Sequence, residues 1–267
     1  MKTLRFHYHM DITFSQPISQ HYFTLKCIPQ TDNRQIISDL AVKVRPHEMV
    51  SHGTDGFGNT TIYGHQKSPH QSFYCDVAGM ATMGEAPEPV LEPTYRQGRF
   101  VQQSTMTKMG ESLTAYFHDF SLEGSNLEIA NRFMTDLYEK KIKYTQGVTT
   151  VETTAEQALS LGKGVCQDYA HILLSLCRGA HIPARYVAGF MVGEGYSHGW
   201  VEVFQLAGEG RGYWVPLDPT NHLTVTQQHI KVAIGRDARD CALNHGVFRG
   251  NGWQTQWSSV IVYDESI

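Results

Sequence analysis

Cys166 occupies a position where a cysteine can act as a nucleophile. Gly162 and Gly164 precede it, and a helical pattern runs from it to Cys177, so the thiol lies at a helix N-terminus. The first turn of a helix has unpaired N–H groups and the positive end of the helix dipole. Both stabilise a thiolate, which is the nucleophilic form of cysteine. The alternative is that Cys166 is a buried structural cysteine. Free cysteines are often buried, so for Cys166 considered alone this alternative has the same weight as a nucleophile.

His198 is the better of two candidates for a base that activates this thiol. His171 lies five residues after Cys166, about 140° around the helix, and therefore points away from it. His198 instead begins a strand pattern, and a second strand pattern follows it soon after in the chain.

Asp218 is the candidate that orients the imidazole. Strand patterns cover Ser197–Leu206 and Tyr213–Leu217, with a Gly-rich loop between them. A hairpin symmetric about Gly208 places His198 opposite Asp218, with β-carbons about 4.5–5.5 Å apart. A carboxylate at that distance can hold an imidazole.

Together these residues supply a nucleophile, a base and an orienting carboxylate in the chain order Cys166, His198, Asp218. This set predicts acyl transfer through a thioester. The backbone N–H of Cys166 is one candidate donor to the oxyanion. The Tyr144 hydroxyl and the Gln157 amide are alternatives for a second donor.

Two regions must position these residues. About the first 115 residues favour β structure, because apolar and polar residues alternate from Leu4 to Phe14 and short strand patterns with turns follow. Near residue 120 the period becomes helical, and Thr154 opens a capping box before the Cys166 helix. We therefore predict an N-terminal β-rich domain at residues 1–118 and an α+β catalytic domain at residues 119–267.

Composition excludes several function classes. The 267 residues are 41% hydrophobic, which excludes a disordered chain. A net charge of −4 without a basic cluster argues against a nucleic-acid partner, and no apolar run is long enough for a membrane partner. The five cysteines lack CxxC spacing and no signal peptide is evident, so we expect a cytoplasmic protein. His7 and His9 share a strand face but lack a third ligand, so no metal or organic cofactor is expected.

Four segments resemble the bacterial transglutaminase-like proteins: residues 164–171 (GVCQDYAH), 182–187 (IPARYV), 197–203 (SHGWVEV) and 217–221 (LDPTN). The resemblance implies an α+β fold with a papain-like transglutaminase core, preceded by an N-terminal β-sandwich-like domain. It also implies a catalytic triad, which falls on Cys166, His198 and Asp218. Residues 55–59 (DGFGN) resemble part of the β domain that often precedes this core.

Two positions depart from the family pattern. Relatives often have Ala where this chain has Gly199. Residues 235–240 resemble a Gly-Arg-Asp-aromatic-x-Asp segment, but Ala238 replaces the aromatic residue. If that ring lines the cleft, the substrate pocket of this chain is wider.

The sequence thus favours a cysteine protease or amidase that acts on a peptide or protein substrate. Hydrolysis is favoured because water is always present and no amine-binding site can be recognised. Transglutaminase-type amine transfer is the alternative within enzymes. A papain-like cleft that binds peptides without turnover is a second class, and protein docking by the N-terminal β module is a third.

We predict that Cys166 is the cysteine that iodoacetamide alkylates first at neutral pH, because it follows a Gly-rich turn at a helix N-terminus. Peptide mapping by mass spectrometry after brief labelling measures this order. Earlier labelling of Cys27, Cys75 or Cys241 would contradict the assignment.

Overall fold

The computed structural model describes residues 1–84 and 89–265. The strands that precede the first helix are β1 (Lys2–Leu25), β2 (Gln35–Arg45), β3 (Met49–Thr54), β4 (Thr60–Gln66), β5 (His70–Met83) and β6 (Glu92–Pro93). Helices and two short strands follow: α1 (Glu111–Phe117), α2 (Asn126–Asp136), β7 (Lys143–Tyr144), α3 (Ala155–Leu161), β8 (Lys163–Gly164) and α4 (Cys166–Gly179). The remaining strands are β9 (Ala184–Met191), β10 (Ser197–Gly208), β11 (Arg211–Asp218), β12 (Leu223–Thr224), β13 (His229–Gly235), β14 (Asn244–Arg249) and β15 (Gln254–Asp264).

The long strand β1 joins the two sheets of the N-terminal module. Its first half pairs with β5 and β15, and its second half pairs with β4 and β14, with a register shift between Thr13 and Ile18. The alternating residues Leu4, Phe6 and Tyr8 point into one buried core. The alternation in the sequence therefore predicted the inward face of β1 correctly.

The last two strands return to this module. β14 and β15 lie within residues 119–267, which we expected to form the catalytic domain, yet both pair with β1. The physical reason is visible in β15, where Val260 and Val262 lie opposite Tyr8 and Phe6 and enter the same apolar core. The chain thus closes the N-terminal module with its C-terminal segment.

In the described part of the chain, the second module combines an antiparallel sheet with four α-helices, a 3-10 helix (Thr94–Phe100) and a π-helix (Leu137–Lys141). The sheet has the order β12-β11-β10-β9-β13, with β6 added beside β11. Helix α4 packs against β9 and β10 on one side and against α1, α2 and α3 on the other. Because it is covered all round, every residue from Asp168 to Arg178 is buried. Among the described residues, no helix has the length and apolar character that crossing a membrane requires.

The predicted helix starts after Thr154 and at Cys166 are confirmed. Ser125 and Thr154 form capping boxes at the N-termini of α2 and α3, each with a reciprocal bond to the residue three positions on. Gly162 ends α3 in the left-handed conformation with φ of 65°, which glycine adopts without steric cost. Gly162 therefore ends helix α3, and this role differs from that of Gly164 in the turn before Cys166.

Two amide side chains attach the N-terminal module to the edge of the second sheet. The Gln35 amide exchanges hydrogen bonds of 2.7 and 2.8 Å with the backbone of Lys231, and Asn59 does the same with Ile234 at 2.8 Å. These amides satisfy backbone groups of β13, which is an edge strand. The Lys231 ammonium adds a contact of 2.6 Å with Asp32.

Arg178 connects the end of α4 to three other segments. Its guanidinium donates hydrogen bonds to the carbonyl oxygens of Phe100, Ala184 and Arg236 and to the Thr107 hydroxyl. The side chain is 2% exposed, and burial lowers its pKa to about 10. The planar guanidinium has five N–H donors and can bind all four acceptors. A lysine ammonium has only three donors and could not.

We predict that Arg178→Met lowers the free energy of unfolding by about 3 kcal/mol or more, because each buried acceptor left unpaired costs about 1–3 kcal/mol. Urea denaturation followed by circular dichroism measures the change. Arg96→Met is the matched control, since Arg96 is exposed. Equal stability of the two variants would contradict the structural role of Arg178.

Candidate active site

The loop before α4 places Cys166 as the first residue of the helix. Asp168 reaches back, and its Oδ2 accepts hydrogen bonds from the Val165 N–H and the Thr149 hydroxyl, both at 2.7 Å. A β-carbon at Gly164 would lie 2.5 Å from this same oxygen, so the position must be glycine. Gly164 and the hydrogen bonds to Asp168 therefore fix the turn before α4. Cys166 follows this turn and lies half-buried at the helix N-terminus.

His198 joins the thiol to a carboxylate. Its Nε2 lies 2.8 Å from Asp218 Oδ2, and the ring also forms a hydrogen bond with Cys166. Burial acts to lower the pKa of His198, but the hydrogen bonds to Asp218 and Cys166 outweigh it and raise the pKa to about 10. With Nε2 occupied by Asp218, Nδ1 is the nitrogen that can exchange a proton with the thiol.

The hairpin register differs from the predicted one. The strands pair Val201 with Leu217, so the register continued by one residue places Trp200, not His198, opposite Asp218. The physical reason is that the turn lies at Glu209 and Gly210, beyond the expected centre at Gly208. His198 and Asp218 are still close, because a diagonal neighbour two residues away shares the same sheet face.

Asp218 is fully buried and accepts hydrogen bonds from several donors. The backbone N–H groups of Thr220 and Asn221 donate to Oδ1, at 3.0 and 3.2 Å, and the Asn221 amide donates to Oδ2 at 2.8 Å. Burial acts to raise the pKa of Asp218, but hydrogen bonds from His198, His229 and Asn221 hold it well below its usual range. The group is therefore a carboxylate that stays charged inside the protein.

His229 is a second histidine on the same carboxylate, and the sequence analysis missed it. Its Nε2 lies 3.2 Å from Asp218 Oδ2, and the side chain is buried at the start of β13. The sequence carried no signal for this contact, because β13 is separated from β10 in the sheet by β9. Within the described part of the chain, His198, Asp218 and His229 are also the group whose atoms are close enough for a metal ion.

Trp200 packs below this group rather than lining the cleft. It is 1% exposed, and its ring lies 6.2 Å from that of His198 and 5.4 Å from that of His229. The indole therefore excludes water from the far side of both imidazoles.

A cleft of about 830 Å³ contains Cys166 and His198, and both modules contribute to it. Tyr8, Gln256 and Ser258 from β1 and β15 line it together with Cys166 and Gln167 at the start of α4. Ala238, the departure from the family pattern, lies in the cleft wall. A ring at that position would occupy part of this space.

The two residues suggested as a second oxyanion donor lie elsewhere. Tyr144 lines a separate depression with Tyr138, and Gln157 is committed to the cap of α3. His171, which we expected to point away from the thiol, is buried and accepts a hydrogen bond of 3.1 Å from the Ala238 N–H. Burial lowers the pKa of His171 to about 4, so the ring is neutral and can serve as this acceptor.

The other four cysteines are all buried, whereas Cys166 is half-buried. Cys177 lies in the core along α4, and burial raises its pKa to about 12. Cys241 borders the cleft but is 2% exposed, and burial raises its pKa well above its ordinary value. Cys27 and Cys75 face each other in the N-terminal core with their sulfurs 3.7 Å apart.

The strand histidines lie on the outer face of the N-terminal module. His7 Nε2 and His9 Nδ1 both contact Asp76 Oδ1, at 3.1 and 2.7 Å. They do not line the cleft that contains Cys166, whose lining on β1 comes from the intervening residue Tyr8.

We predict that Asp218→Asn lowers the pKa of His198 from about 10 toward its ordinary value, because the carboxylate that stabilises the imidazolium is removed. In the wild type, this histidine stabilises the fold below its unfolded-state pKa, and the contribution is lost as pH rises through about 10. Titration of the histidine ring signals by NMR measures the shift. Asp240→Asn is the control, since Asp240 pairs with Arg236. An unchanged His198 titration in Asp218→Asn would contradict the coupling.

Two family models match the chain in separate regions. Residues 4–81 match the bacterial transglutaminase-like N-terminal region. Residues 118–219 match the transglutaminase-like superfamily, and this range contains Cys166, His198 and Asp218.

Individual relatives agree with these matches. An uncharacterized protein of Mycobacterium leprae (strain TN) is 38% identical over 122 residues, which is 42% of this chain and 42% of that protein. An uncharacterized protein of Mycobacterium tuberculosis (strain ATCC 25618 / H37Rv) is 26% identical over 275 residues, covering 90% of this chain and 86% of that protein. A solved structure described as a "putative cysteine protease" from Cytophaga hutchinsonii shares the fold, with a TM-score of 0.75, 21% identity and coverage of 99% of this chain and 92% of that chain. The chain therefore belongs to the transglutaminase-like superfamily and joins the bacterial N-terminal region to the transglutaminase-like core.

Proposed function

We propose that this protein is a thiol-dependent acyl-transfer enzyme that acts on amide bonds of peptides or proteins. The observation that carries the proposal is the hydrogen-bonded series from Cys166 through His198 to Asp218 at the base of an open cleft. Membership of the transglutaminase-like superfamily is consistent with this chemistry.

The geometry supports a role for each member. Cys166, as a thiolate, attacks the carbonyl carbon, and the carbonyl electron pair moves to oxygen to form a tetrahedral intermediate. His198 holds the proton taken from the thiol and delivers it from Nδ1 to the leaving amine. Asp218 keeps the ring oriented through Nε2 and stabilises its positive charge. The product of this half-reaction is a thioester on Cys166.

The second half-reaction decides between hydrolysis and amine transfer. We favour hydrolysis, because the thiol is half-buried at an open cleft that water can enter. In this step His198 takes a proton from water, and the resulting hydroxide attacks the thioester. The products are a carboxylic acid and the free thiol, which restores the starting enzyme.

The residues that line the cleft suit a peptide segment. The cleft runs between two modules, and its walls combine small side chains such as Ala188 and Ala242 with polar groups such as Asn244 and Gln256. Glu152 and Arg239 form an ion pair and also line the cleft. Backbone amides of a peptide could bind against such a mixed wall.

A peptide-library screen tests the reaction type. Incubation with the library, with and without an added primary amine, separates three products: cleaved peptide, released ammonia and an isopeptide or secondary amide. Cleavage or ammonia release without amine incorporation is the result expected for hydrolysis. Exclusive incorporation of the amine would replace hydrolysis with transglutaminase-type transfer.

We predict unequal losses of turnover in three variants. Cys166→Ala and His198→Ala should each lower kcat on the order of 10⁶-fold, and Asp218→Asn on the order of 10⁴-fold, as in triads where the orienting member contributes least. Mass spectrometry of the acyl-enzyme and steady-state turnover measure the effects, with circular dichroism as the folding check. Cys177→Ala is the control, since that cysteine is buried in the core. A folded Cys166→Ala variant with wild-type turnover would exclude this site, and peptide binding without turnover would become the function to test.

A further inference from the structure

The hydroxyl of Tyr186 occupies a space that the neighbouring strand leaves for it. Tyr186 lies on β9, and a β-carbon added at Gly199 on β10 would lie 2.1 Å from its hydroxyl oxygen. A β-carbon this close to an oxygen would overlap with it, so a residue with a side chain cannot replace Gly199 unless Tyr186 moves. Glycine at position 199 is therefore what allows the hydroxyl to lie against the backbone next to His198.

This hydroxyl belongs to the cleft that holds the thiol. Tyr186, Gly199, Cys166 and His198 all line the same cavity. The Tyr186 ring is positioned on its other side by His171, with ring centroids 5.5 Å apart. The end of the side chain is thus held at the cleft wall by packing on both sides.

The hydroxyl is also a proton donor. Burial raises the pKa of Tyr186 well above its ordinary value, and the nearby Cys166 thiolate raises it further. The group therefore keeps its proton and can donate it to a hydrogen bond in the cleft.

We propose that the Tyr186 hydroxyl is the second donor to the oxyanion, together with the backbone N–H of Cys166. This inference rests on the proposed function. When Cys166 attacks, the carbonyl electron pair moves to oxygen, and the hydroxyl donates a hydrogen bond to that oxyanion without transferring its proton. When the bond to the leaving amine breaks, the pair returns to form the thioester carbonyl, and His198 protonates the amine.

Two reactions of the same thiol separate this role from others. Acetylation by 4-nitrophenyl acetate passes through an oxyanion, whereas alkylation by iodoacetamide displaces iodide and forms none. Both reactions require the Cys166 thiolate. A donor to the oxyanion thus affects only acetylation, while a group that positions the thiolate affects both reactions.

The test compares wild type, Tyr186→Phe and the control Tyr169→Phe in both reactions. Tyr169 is also buried, but its hydroxyl donates to the Ile142 carbonyl oxygen at 2.8 Å and does not line the cleft. We expect Tyr186→Phe to slow acetylation of Cys166 about 10²-fold, the usual effect of removing one oxyanion donor. Its alkylation rate, the pH profile of alkylation and the thermal melting temperature should stay at the wild-type values, and Tyr169→Phe should retain both reactions.

Three outcomes would overturn the inference. Equal acetylation of wild type and Tyr186→Phe would show that the hydroxyl is not a donor to the oxyanion. Equal losses in acetylation and alkylation would assign it to positioning the thiolate instead. A wild-type protein that alkylates at Cys166 but forms no acetyl-enzyme would overturn the proposed function, and this inference with it.

Discussion

The candidate site depends on the buried carboxylate of Asp218, whose charge must be compensated inside the protein. A charge removed from water must be compensated by hydrogen bonds, because an unpaired buried carboxylate is too costly to retain. Here the compensation comes from separate parts of the chain: His198 on β10, His229 on β13, and the turn at Thr220 and Asn221. The same bonds fix the orientation of the imidazole, so stability of the sheet and geometry of the candidate site depend on one group.

Local signals in the sequence predicted local structure well. The capping box at Thr154, the strand alternation from Leu4 to Phe14 and the helix that starts at Cys166 depend on neighbouring residues, and all are present. Contacts between distant segments were harder to predict. The hairpin register depended on where the turn closes, and a shift of two residues left His198 on the correct face only because side chains alternate with period 2.

Other features had no local signal. His229 reaches Asp218 through the order of strands in the sheet, which the sequence pattern does not encode. The Gly199 position was visible as a departure from relatives, but its consequence required the position of the Tyr186 ring on the neighbouring strand. The wall formed by Gln256 and Ser258 depended on the pairing of β15 with β1, across more than two hundred residues of chain.

The pairing of β1 with β15 also determines the order in which the strands of this module can pair during synthesis. β1 can pair with β5 once β5, which ends at Met83, has left the ribosome, but its other edge waits for β15, which begins at Gln254. Closing so long a loop is slow, and an open strand edge is a template for aggregation in the interval. Between the synthesis of β5 and that of β15, one edge of β1 therefore lacks this partner strand, and the cleft acquires Gln256 and Ser258 only when that edge is covered. A chaperone that shields β1 would protect the growing chain and would also delay the completion of the cleft that contains Cys166.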